Sequence, residues 1–166
     1  MAVRNVLMAC AQRRTLAIEY QSMSFVRPLT RGIAPYGIAD DGFRCHIRAY
    51  CIKGHVLKYF VLSRILNSEL AGPAETAPVS DADWMEAITQ NNSAPPFLSE
   101  DQKRMAELDC WMTDRTAQVA VRKWHLFYSL KKLGLNTEVC ARAPQDQHVV
   151  LVNMSEVQPI LGRKIA

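Results

Sequence analysis

The chain has 166 residues, 49% hydrophobic and 22% charged, with a formal net charge of +4. That length supports one good core or two small ones, and the composition is that of a folded, water-soluble protein. Its apolar runs are far shorter than the roughly 18–20 residues needed to cross a bilayer, and no membrane partner is expected. The charge is uneven: residues 1–70 hold ten Lys/Arg against four Asp/Glu, while residues 71–114 hold two against nine. A basic first half favours an anionic partner without choosing among nucleic acid, nucleotide and acidic protein.

Val3, Val6, Leu7, Cys10 and Ala11 fall at helical spacing, so a lead-in helix is expected over residues 1–14. Gln12, Arg13 and Arg14 end the apolar pattern too early for a signal peptide, and a cytoplasmic location is expected. Thr15–Tyr20 alternates as a strand and Gln21–Ser24 is a polar turn. A further strand runs from Arg31 to Ile38, interrupted or edged by Pro35. Asp40-Asp41-Gly42 is a hairpin turn into a strand over residues 43–51. Lys53-Gly54-His55 turns the chain into a strand over residues 56–60, and Val61–Leu66 closes the unit. A helix followed by about five short antiparallel strands predicts a small Sm-like or SH3-like barrel over residues 15–70.

Residues 71–80 are rich in small and turn-forming side chains and are expected to be a linker. The second unit, 81–166, is predicted to be a small α/β domain. Its opening, through Ala94, is ambiguous between helix and strand. Ser99 is placed to cap a short helical turn, Met105–Met112 is expected as a strand, and Thr116–Val121 as another. Trp124–Leu133 repeats at helical spacing, with Lys131 and Lys132 in its last turn and Gly134 as its stop. His148–Val152 reads as a final strand. Trp84, Trp111 and Trp124 are expected to pack rather than to stack on a ligand.

Chemistry concentrates in Cys45-His46-Ile47-Arg48-Ala49-Tyr50-Cys51. Period-two alternation puts Cys45, Ile47, Ala49 and Cys51 on the core face and His46, Arg48 and Tyr50 on the other. Thiol catalysis by His46 with Cys45 or Cys51 is disfavoured, because the cysteines point the opposite way. Five cysteines (10, 45, 51, 110 and 140) have no close metal-ligand pair and are read as free buried thiols. No phosphate-cradling glycine loop, catalytic set, metal site or cofactor is indicated, so an enzyme is not expected.

Four segments, in order, carry a family resemblance: Arg13-Arg14-Thr-Leu-Ala-Ile-Glu-Tyr20, Gly32-Ile-Ala-Pro35-Tyr, Cys45–Cys51 and Phe60-Val-Leu-Ser-Arg64-Ile65. They resemble the WYL domain of bacterial transcriptional regulators, with Cys45-His46-Ile47 in place of the Trp-Tyr-Leu for which it is named. The central histidine is similar to the defence-associated repressors found with BREX and CBASS anti-phage islands. Cys45 departs from the pattern by removing a large aromatic anchor. Leu98–Gln102, Glu107–Trp111 and Val119–Leu135 resemble the extension that follows such domains and contributes to dimerisation.

The resemblance implies a homodimeric sensor whose basic pocket binds a nucleotide or single-stranded nucleic-acid effector. It places Tyr20, Ser22, Ser24, His46, Arg48 and Arg64 in that pocket, with Lys58 a weaker member. Arginines there would grip phosphate, the serines donate hydroxyls, and Tyr20 stack or donate. Too few residues precede the first strand for a winged helix-turn-helix, so operator DNA is expected to be bound only through an N-terminal domain missing from this chain. The alternative is a structural oligomerisation module with no small-molecule ligand.

Overall fold

The computed structural model describes residues 2–74, 81–135, 143 and 146–161. The chain divides into two units, Met1–Asp81 and Ala82–Ile165. The first opens with helix α1 (Ala2–Gln12) and continues through β1 (Arg14–Tyr20), β2 (Leu29–Asp40), β3 (Cys45–Cys51) and β4 (Val56–Val61). A 3-10 turn, Leu62–Arg64, then leads into β5 (Ile65–Pro73). All pairings are antiparallel, in the order β4-β3-β2-β1-β5. The ladder leaves β4 and β5 as its two edges, so it is an open five-stranded sheet rather than a closed barrel. β5 runs through Ala71–Pro73, residues expected to begin the linker, with Arg14 pairing Pro73. Residues 75–80 of that expected linker lie outside the described residues, as does Cys140.

The sequence periodicity explains the packing. Val6 and Ala9 from one face of α1 meet Leu16, Ile18 and Tyr20 of β1, Ile33 of β2, Ile47, Ala49 and Cys51 of β3, and Phe60 of β4. Fully burying an aliphatic side chain of this size contributes about 1.5–3 kcal/mol each. Pro35 sits where the β2–β3 register slips, between Pro35 and Gly37, since proline cannot donate to a ladder. Gly42 closes the β2–β3 hairpin at φ 84°, a conformation glycine adopts without a Cβ clash.

The second unit holds α2 (Ala82–Met85), β6 (Ala87–Ser93), α3 (Glu100–Asp109) and β7 (Thr116–Arg122). It ends with α4 (Leu126–Lys132), β8 (Val150–Leu151) and α5 (Met154–Leu161). Its antiparallel sheet has the order β7-β6-β8. The ambiguous segment after Asp81 thus resolves into a one-turn helix followed by a strand. Met105–Met112 is not a strand: Met105–Asp109 completes α3. Ser99 and Gln102 form a reciprocal capping box that nucleates the helix, and good helix formers then carry it on. The alternating Leu108, Cys110 and Met112 imitate a strand only in spacing.

Helix α4 ends as its sequence dictates. Gly134 adopts φ 70°, Leu135 N–H donates to Leu130 carbonyl at 2.7 Å, and Gly134 N–H to Lys131 carbonyl at 3.1 Å. This is a Schellman stop. The core of the unit joins Val121, Leu126, Leu130, Leu135, Val149, Leu151 and Val157. Trp84 and Trp124 stack at 5.4 Å, as packing groups should. Trp111 departs from that expectation: it is 90% exposed, held out by the left-handed backbone (φ 52°) that follows α3. No described helix is long and apolar enough to cross a membrane.

Candidate functional site

The alternation of β3 is as read from the sequence: Ile47, Ala49 and Cys51 enter the core. The opposite face is not open, however. His46 and Arg48 are 3% and 5% exposed, each covered by a carboxylate. Burying a polar or charged side chain is tolerable only when it is hydrogen-bonded, and both are.

Arg48 lies deepest. Its Nε donates to Asp81 Oδ2 at 2.6 Å and its Nη2 to Asp81 Oδ1 at 2.8 Å, a two-pronged fork between buried partners. The guanidinium carbon stands 4.2 Å from the centre of the Tyr59 ring, a cation–π contact. The Tyr36 hydroxyl donates to Asp81 Oδ2. Register explains the grouping, since Arg48 pairs with Tyr59 across β4 and with Gly37, next to Tyr36, across β2. Burial pulls against the Arg48 charge, but the hydrogen bond and charge of Asp81 outweigh it and hold the proton more tightly than usual. Burial raises the Tyr36 hydroxyl, and its bond to Asp81 raises it further.

His46 belongs to the hairpin. Its Nε2 contacts Asp41 Oδ2 at 2.7 Å. Asp41 Oδ1 accepts the backbone N–H groups of Phe43 at 2.8 Å and Arg44 at 2.6 Å. Burial works against the Asp41 charge, yet the bonds from His46, Arg44 and Phe43 prevail and hold its carboxyl at about 2. Asp41 is therefore ionised at neutral pH, and Nε2 is the protonated nitrogen of His46.

The other predicted residues lie apart from this pair. Tyr20 is a core residue, edge-on to Phe60 at 5.2 Å, with its hydroxyl accepting Val61 N–H at 3.1 Å. It neither stacks nor donates outward, because β1 alternation turns it inward with Leu16 and Ile18. Lys58 pairs with Ala49, on the core side of the sheet, away from Arg48. Ser22 and Ser24 share the β1–β2 connection, where Ser24 N–H donates to Ser22 Oγ at 3.1 Å. Arg64 is half-buried in the 3-10 turn, and its carbonyl accepts Gln21 N–H at 3.0 Å. The Arg64 backbone thus lies beside the start of that connection. Tyr50, on the His46 face, bonds His55 Nδ1 through its hydroxyl at 3.0 Å.

Sequence reading missed the two carboxylates. Asp41 carried a usable signal, since an Asx turn beside a strand histidine is a local pattern. Asp81, separated from Arg48 by 33 residues, carried none.

Cys10, Cys45, Cys51 and Cys110 are free, but only Cys51 is fully buried. Burial raises the thiols of Cys10, Cys45 and Cys110, which makes them poor nucleophiles at neutral pH. Among the described residues no group of three or more His, Cys, Asp or Glu could hold a metal. In the second unit, an open depression of about 290 Å³ is lined by Val121, Trp124, His125 and Ser129 among others, none of them a predicted site residue.

Comparison with known proteins places both units. Residues 1–70 match the WYL domain, and residues 94–157 match the C-terminal dimerization domain of the BrxR transcriptional regulator. A relative in Stenotrophomonas maltophilia, "DNA-binding transcriptional repressor CapW", is 32% identical over 94% of this chain and 52% of its own length. Proteins of the same name in Escherichia coli (strain KTE188) and Pseudomonas aeruginosa are 31% and 26% identical, with 53% and 52% of their lengths covered. The chain therefore spans about half the length of the curated relatives it matches. Among solved structures, proteasome accessory factor B/C of Arthrobacter aurescens aligns with 99% of this chain and 26% of its own, at 13% identity and a TM-score of 0.43. The chain thus joins a WYL domain to a C-terminal dimerization domain of the BrxR transcriptional-regulator type.

Proposed function

We propose that this chain is the ligand-sensing and dimerising part of a bacterial transcriptional regulator of anti-phage defence, with a nucleotide or single-stranded nucleic acid as its effector. One observation supports this reading above the rest. Arg48, a permanent cation, is buried on the non-core side of the sheet with its donor fork aimed at two acceptor oxygens. Two parallel N–H groups at that spacing suit a phosphate as well as they suit a carboxylate. His46 stands two residues away on the same face. Arg64, Ser22 and Ser24 are proposed as the outer part of the site, with Tyr20 and Lys58 supporting it from the core side. The second unit is proposed to pair two copies into a homodimer. DNA binding, named for relatives about twice this length, is proposed to require more chain than these residues.

Labelled oligonucleotides and cyclic nucleotides, titrated at low and high salt against wild type, Arg48→Ala and Arg64→Ala, test the site. Weakened binding in the Arg48 variant is expected, with a slope against salt. Unchanged binding in both variants would sink the site.

A second reading, a structural oligomerisation module without a ligand, is favoured by the fact that Asp81 already fills the Arg48 fork. It predicts no binding by any candidate.

A further inference from the structure

Asp81 holds two positions at once. It is the carboxylate in the Arg48 fork, and it is the last residue of the first unit, with Ala82 opening α2 of the second. The donors around it come from the sheet: Arg48 from β3 and Tyr36 from β2, with Tyr59 of β4 beneath the guanidinium. Asp81 itself belongs to no strand or helix. The cradle is therefore fixed by ladder hydrogen bonds, while its occupant stands outside every strand and helix.

We propose that Asp81 is an internal latch: its carboxylate stands where an effector's phosphate would bind, so that the effector must expel Asp81 and thereby release the chain at the boundary between the units. The inference rests on the anion-site reading given above and says how that site is regulated.

The chemistry of the exchange is balanced. Arg48 cannot shed its proton, so its fork demands an anion at every stage, and removing one anion is tolerable only as another arrives. A carboxylate brings one negative charge and two oxygens. A phosphate monoester brings up to two charges and three oxygens, which suits two guanidinium N–H groups and the Tyr36 hydroxyl together. The Tyr59 ring keeps the cation in place whichever anion is bound. A closed latch lowers the apparent affinity for an external anion by the fraction of molecules that are open, so a latch open in about 1–10% of molecules weakens binding about 10- to 100-fold.

The test uses the whole chain in phosphate-free buffer. A fluorescein-labelled, 5′-phosphorylated oligothymidylate is titrated by anisotropy against wild type, Arg48→Ala, Asp81→Ala and the double variant. Asp81→Ala is expected to bind at least about 10-fold more tightly than wild type, and the double variant to lose that gain. Equal affinity of wild type and Asp81→Ala, with binding still lost in Arg48→Ala, overturns the latch and leaves the site standing. Binding indifferent to Arg48 in both backgrounds overturns the site itself. Asp81→Ala also leaves a buried cation unpaired, so its melting is followed with added inorganic pyrophosphate against chloride at equal ionic strength. Pyrophosphate is expected to raise its midpoint much more than that of wild type. An Asp81→Ala chain that responds no more than wild type, folded or not, overturns the latch.

Discussion

Breaking the Arg48–Asp81 fork gives the sharpest test of how the first unit is held together. In Asp81→Ala the guanidinium stays buried with two donors unanswered. Charge-assisted bonds contribute about 1.5–3 kcal/mol each, and stripping one partner from a buried pair costs about 3–5 kcal/mol. For a unit of this size, a loss of about 3 kcal/mol lowers the melting temperature by about 12 °C or more. Arg48→Met should cost less, because Asp81 keeps its bond from Tyr36 and can take up a proton. The double variant Arg48→Met/Asp81→Ala removes both charges and should be more stable than the sum of the single losses predicts, by about 2–4 kcal/mol. Urea unfolding of the four proteins at pH 7, in buffer free of phosphate, closes the cycle. A coupling below about 0.5 kcal/mol would show that the fork is not an energetic unit, and the account of the buried face would fall with it.

Three further outcomes follow from the geometry. Asp41 is held at about 2 against an ordinary value of 3.8, so it stabilises the fold fully above about pH 4 and ceases to do so as the pH falls toward 2. Discounted for water at the hairpin, its share is about 1–2 kcal/mol, and urea midpoints of Asp41→Asn should fall below wild type at pH 7 and converge with it near pH 2. Gly134→Ala forces a side chain into φ 70° and should cost about 1 kcal/mol in thermal unfolding, with Gly134→Asn closer to wild type. Ser99→Ala removes the cap that Gln102 N–H uses and should cost about 1 kcal/mol, seen as faster amide exchange in the first turn of α3.

Much of the first unit was legible because period-two alternation and turn chemistry are local. Asp40-Asp41-Gly42 gives the hairpin, Pro35 its irregularity, and Ile47 with Ala49 the core face. The same reasoning failed at Met105–Met112, where spaced apolar side chains imitated a strand. In the structure Met105 and Leu108 are exposed while Cys110 and Met112 pack against the core, so the spacing mixes two surfaces rather than marking one strand face. Helix α5 was not anticipated, and it carries Pro159 within its span. The site was half legible. His46 and Arg48 stood out as cations on one face, but alternation says only that a side chain leaves the core, not that water meets it. Whether that face is open depends on Asp81, 33 residues away in sequence from Arg48. Pairings at that sequence distance leave no periodic trace.

The Asx turn at Asp41 has a mechanical consequence for the strand that follows it. One carboxylate answers both the turn and the strand: Oδ1 accepts the Phe43 and Arg44 N–H groups, and Oδ2 holds His46 Nε2. The turn and the first residues of β3 therefore share a single anchor, so a change at either end is felt at the other.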